Sequence, residues 1–126
     1  MIRLLICLAL FPLGACGALG SPPERLLAHD VFITLQDDSV EACEALAQDC
    51  RDSLSDIPSV LELDAGVRAP SQTREVNDIE YDVVLHVTFA DVEGLEAYIV
   101  HPDHEAFVER MLPNVAAVRV FDSWVR

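Results

Sequence analysis

The apolar positions change period along the chain, and each change marks an element. Residues 29–36 alternate: His29, Val31, Ile33 and Leu35 share one side, and Asp30, Phe32, Thr34 and Gln36 share the other. That spacing predicts a strand with one strongly apolar face. Asp37-Asp38-Ser39 supplies turn residues, an N-cap and negative charge for a helix start. Val40, Cys43, Leu46, Ala47, Cys50 and Leu54 then recur at i, i+3, i+4 and i+7, with Glu41, Glu44, Asp49 and Asp52 opposite. This is the pattern of an amphipathic helix of about four turns.

Ile57-Pro58 ends that helix, and residues 60–65 alternate as a second strand. Residues 66–80 carry Pro70, Ser71, Gln72 and Thr73 without a period and are expected to form a long surface loop. Residues 81–89 (YDVVLHVTF) form the clearest strand, with Val83, Leu85, Val87 and Phe89 on one face and Val84, His86 and Thr88 on the other. Asp91 caps a second helix that runs to about His101 and turns Leu95, Tyr98 and Ile99 inward. Pro102 breaks it, because proline suits a first helical turn and cannot sit inside a helix. A third helical piece follows with His104, Phe107, Val108 and Met111 inward. Leu112-Pro113-Asn114 then turns the chain into a last strand over residues 115–125.

The order β-α-β-β-α-β, with the second helix split at Pro102, predicts an α+β, ferredoxin-like fold. Its four-stranded antiparallel sheet carries the helices on one face. The strands carry apolar residues on both sides, so the second face needs a cover, and a homodimer through that face supplies one.

The chain's beginning reads as a processing signal. Arg3 and the apolar run from Leu4 to Phe11 have the form of a signal peptide over residues 1–15, too short to span a bilayer as a helix. Leu13-Gly14-Ala15-Cys16 has the form of a lipobox, with Cys16 as the acylated residue. The competing cleavage site lies after Ala18-Leu19-Gly20. Residues 16–27 then make a flexible tether, stiffened by Pro22-Pro23, and the domain occupies residues 28–126. The expected location is the cell envelope or periplasm, with the lipid as the membrane anchor.

Composition narrows the partners. The net charge is −14 and there is no lysine, so the surface repels phosphate backbones and anionic headgroups and no nucleic-acid partner is expected. Cys43 and Cys50 are seven residues apart, roughly 10 Å along one helix, beyond the reach of a disulfide. They read instead as small apolar side chains on a core face. Zinc spacings are missing, and His101 with His104 lacks a third ligand, so neither a metal nor a cofactor is expected.

With these elements placed, residues 28–125 resemble the stress-responsive A/B barrel (Dabb) family. The likeness is carried by Ala28-His29-Asp30-Val31-Phe32, Ile57-Pro58, Tyr81-Asp82-Val83-Val84-Leu85 and Val118-Arg119-Val120-Phe121-Asp122-Ser123. Its most specific piece is Tyr98-Ile99-Val100-His101-Pro102-Asp103-His104, followed by Phe107. The resemblance implies a dimeric α/β barrel. A plant member, olivetolic acid cyclase, performs an aldol cyclisation with a Tyr and a His of a Tyr-x-x-His-Pro-x-His segment. By matched position these are Tyr98 and His104, and a cavity-lining His of the first strand matches His29. Val31 and Ile33 beside His29, Phe107 beside His104, and His101 complete the candidate ligand-binding set.

Imidazole can take a proton from a carbon acid, and a phenol can donate to the developing enolate oxygen. The competing role for these side chains is structural, tying a helix kink to backbone carbonyls. Three functions therefore stand: binding of a small apolar carbonyl or phenolic ligand, cofactor-free cyclase or isomerase chemistry, and an envelope interaction module. An apolar cavity at Tyr98, His104 and His29 favours the first two; a filled core favours the third.

Overall fold

A computed structural model describes residues 25–126; the expected signal peptide, the expected lipid-anchor residue Cys16 and the expected tether up to residue 24 lie outside this range. The elements are β1 (Leu26–Leu35), α1 (Val40–Leu54), β2 (Glu62–Val67), β3 (Val83–Phe89), α2 (Val92–Ile99), α3 (Pro102–Met111), a 3-10 turn (Leu112–Asn114) and β4 (Val115–Val125). The strands form one antiparallel sheet in the order β2-β3-β1-β4, the ferredoxin-like arrangement.

Each helix starts where a side chain can satisfy a free backbone N–H. Ser39 Oγ accepts from Ala42 N at the start of α1, and Asp91 Oδ1 accepts from Gly94 N at 2.8 Å at the start of α2. The inner face of α1 is Cys43, Ala47, Cys50 and Leu54, which packs over β2 and β3 and shares one core with Ile33, Val83, Val87 and Phe89. Burying side chains of this size contributes about 1.5–3 kcal/mol for each of the larger ones. Both cysteines are free thiols inside this layer, and burial pushes the Cys50 thiol up to about 12.

Several boundaries differ from the expected ones. β1 begins at Leu26 rather than His29, so Leu26 and Leu27 belong to the sheet and not to the tether; Leu26 pairs with Val125 and Leu27 with Trp124. β2 begins at Glu62, because Val60 N bonds to Ile57 O at 2.9 Å and prolongs the turn after α1. β2 also takes Gly66 and Val67 from the expected loop. α2 stops at Ile99, since His101 before Pro102 is extended at φ −68° and ψ 137°. Val40, at the overhanging first residue of α1, and Ile99, at the last residue of α2, are exposed rather than inward.

The helix-free face carries Phe32, Val84 and Phe121 together with an Asp30–His86 pair. Phe32 stacks edge-on against Phe121 and against Tyr81 of the loop before β3. That loop is fastened across the sheet's end by the Arg119–Asp78 ion pair and by Thr34 Oγ1 donating to Glu80 O at 2.8 Å. Among the described residues no helix is long and apolar enough to cross a membrane.

Candidate functional site

The helices do not cover the sheet evenly. α1 lies over β2 and β3, whereas α2 and α3 meet at the Pro102 kink and leave a space above β1 and β4. A cavity of about 230 Å³ fills that space. His29, Val31 and Ile33 form its floor on β1; Tyr98 closes one wall from α2, and His104 and Phe107 another from α3. Val118 and Val120 of β4 complete its apolar lining.

Tyr98 is fully buried, and its ring lies 4.5 Å from the His104 ring and 6.1 Å from the His29 ring. The phenol therefore stands close to both imidazoles. Its hydroxyl has no hydrogen-bond partner among the described residues. An unmade hydrogen bond on a buried hydroxyl costs about 1–3 kcal/mol, so the group gains from any acceptor that reaches it. Burial, with the Cys50 sulfur close by, raises the phenol's pKa well above its usual range; the hydroxyl stays protonated and can donate.

His104 Nδ1 donates to Ile99 O at 3.0 Å across the kink, which leaves Nε2 as an acceptor. Burial lowers its pKa, the Ile99 carbonyl opposes that, and His29 adds to the lowering. Neutral imidazole with a free Nε2 is the form that can act as a base. On the adjacent strands His29 Nδ1 donates to Asp122 Oδ1 at 2.7 Å, because His29 and Asp122 stand opposite each other in the β1–β4 ladder. The carboxylate can only accept, so it holds the His29 proton on Nδ1 and leaves the second nitrogen free.

The lowered pKa of His104 has a testable sign. A histidine with a folded-state pKa below its unfolded value of 6.5 stabilises the fold fully above that value, and the stability falls as pH drops below it. Thermal melts should therefore decline from pH 7.5 to 5.5, and His104→Gln should flatten that slope. A slope unchanged in His104→Gln would assign the decline to other groups.

The sequence profile of the stress responsive A/B barrel domain matches residues 27–125, nearly the whole described range. The chain belongs to the Dabb family. Among solved structures, a Dabb protein with a ferredoxin-like fold from Mesorhizobium loti is 29% identical, with a TM-score of 0.64 over 79% of this chain and 95% of that one. A dimeric ferredoxin-like protein of unknown function from Thermobifida fusca is 17% identical, with a TM-score of 0.66 over 82% and 93%. The hydroxynitrile lyase of Passiflora edulis is 16% identical, with a TM-score of 0.67 over 82% and 96%. No curated protein matches the chain in sequence.

The Dabb fold thus brings His29, Val31, Ile33, Tyr98, His104 and Phe107 to one cavity. It does not bring His101 there. The His101 ring turns to the start of α3, accepts from Asp103 N at 3.2 Å and serves as the N-cap ahead of Pro102. His101 is a helix cap and does not line this cavity. His104 has a structural tie to Ile99 as well as a place in the cavity wall, so both expected roles meet in one ring. Asp122 was missed as a site residue. Its signal was present in β4, where an acid sits in the alternating series Val118, Val120, Asp122, Trp124. Among the described residues no three His, Cys, Asp or Glu side chains gather as a metal site.

Proposed function

We propose that this Dabb protein is exported, anchored to the cell envelope through a lipid on Cys16, and assembled as a homodimer. Each copy binds a small apolar carbonyl or phenolic compound between its sheet and the α2–α3 pair. The observation that carries the ligand reading is an apolar cavity lined by His29, His104 and Tyr98, the last a buried phenol whose hydroxyl has no hydrogen-bond partner among the described residues. A carbonyl or phenol oxygen would accept that proton while its hydrocarbon part lies on Val31, Ile33 and Val120.

The homodimer is supported by Phe32, Val84 and Phe121 on the helix-free face, and by the dimeric relative from Thermobifida fusca. The anchor is supported by Leu13-Gly14-Ala15-Cys16 alone. Cofactor-free proton transfer is the second reading. It rests on the bond from His104 Nδ1 to Ile99 O, which leaves Nε2 unprotonated on a ring 4.5 Å from the Tyr98 ring. In that reading His104 removes a proton next to a carbonyl, Tyr98 stabilises the enolate oxygen, and the Asp122-held His29 orients the substrate.

One preparation of the full chain tests assembly and anchor together. Mass spectrometry of the membrane fraction should show a mature chain beginning at diacylated Cys16, and light scattering should give twice the mass of one chain. An unmodified chain beginning at Ser21 would refute the anchor, and a monomer mass would refute the dimer.

A further inference from the structure

Across the middle of the helix-free face runs one polar row. His86 of β3 stands opposite Asp30 of β1 on one side and opposite Asp64 of β2 on the other, so an imidazole lies between two carboxylates on adjacent strands. His86 Nδ1 donates to Asp30 Oδ1 at 2.5 Å, since a carboxylate can only accept. The surroundings are apolar. Phe121 stands opposite Asp30 on β4, and Phe32 and Val84 face each other two residues further along β1 and β3.

Asp30 and His86 sit midway along the two inner strands of the sheet, with side chains 30% and 41% exposed. A second copy that covers Phe32, Val84 and Phe121 therefore takes this pair out of water with them. The other charges on this face leave the row acidic. Glu62 follows on β2, opposite Thr88, and Arg119 of β4, opposite Phe32, is committed to Asp78 and to Glu80 O. With a neutral imidazole the row carries two uncompensated carboxylates, and the partner's face brings the same pair against it. Carboxylates covered without counter-charge repel strongly as water is displaced. A proton on His86 adds one positive charge to each row and halves its excess.

We propose that association of two copies through this face takes up protons at His86, so that the homodimer tightens as the pH falls from 8 to 6. In a single copy the row stays in water, which screens its carboxylates; in the dimer the row must balance its own charge. Acid thus favours the dimer, and alkali loosens it without touching the apolar contacts. His29 and His104 line the cavity on the helical side and His101 caps α3, so none of the three lies in this contact. This inference rests on the homodimer reading above and adds its regulation.

Sedimentation equilibrium of the full chain in 0.5 M salt, which screens the general repulsion of the net charge of −14, measures the effect. The dimer Kd should be about tenfold lower at pH 6 than at pH 8, the equivalent of about one proton taken up over one pH unit. His86→Gln should give a dimer whose Kd no longer depends on pH in this range. Asp64→Asn, at an exposed position of the edge strand β2, should tighten the dimer at pH 8 and make the slope shallower. A wild-type Kd equal at the two pH values, or lower at pH 8, overturns the inference while the homodimer stands, and so does a slope that persists in His86→Gln. A monomer at both pH values overturns the inference and the homodimer together.

Discussion

Replacing Phe89 with Ala should lower the stability of the folded domain by about 3–5 kcal/mol, the range for deleting a buried ring from a packed core. Phe89 is fully buried at the end of β3, tilted against Tyr98 at 5.1 Å and edge-on to His29 at 6.4 Å. Its removal takes support from both cavity rings at once, and aromatic contacts of this geometry add to the area they bury. In a domain of this size each lost kcal/mol moves Tm by roughly 4–8 °C, so the melt should shift by tens of degrees. Val40→Ala is the control: Val40 is 73% exposed and its truncation should change stability by less than about 0.5 kcal/mol. A Phe89→Ala loss below about 1 kcal/mol would mean that β3 and α2 are not packed as described.

Tyr98→Phe should behave in the opposite way. The variant keeps the ring and its packing, and it removes a hydroxyl that has no partner to orphan. Stability in denaturant should therefore be unchanged or rise by up to about 1 kcal/mol. A loss greater than that would place the hydroxyl in a structural hydrogen bond and undo the reading of Tyr98 as a ligand donor.

These two rings were legible in the sequence for different reasons. Phe89 continues the period-two face of Val83, Leu85 and Val87, and Tyr98 falls on the inward side of a helix capped by Asp91, so local pattern alone placed both. Phe107 and His104 followed from the period that restarts at Pro102. Features that depend on a distant strand were harder to see. The start of β1 at Leu26 is set by pairing with the far end of β4, and the two segments lie almost a whole domain apart in sequence. The His29–Asp122 pair has the same origin: the β1–β4 register decides which acid faces which imidazole. His101 went the other way. Its sequence neighbours placed it in the candidate ligand set, but the backbone before Pro102 is extended, which turns the ring to a helix start instead. The cavity itself is a tertiary feature of α2 meeting α3 above the sheet, and no periodicity reports it.

In the proposed function the Tyr98 hydroxyl donates to a ligand oxygen. Titration of the full chain with 4-methylacetophenone, wild type beside Tyr98→Phe, tests it most directly. The account predicts shifts at the residues around His29, Tyr98 and His104, and an affinity about tenfold weaker in Tyr98→Phe, the equivalent of one hydrogen bond made in the complex. Equal affinity in the two proteins, with the same residues shifting, would contradict it.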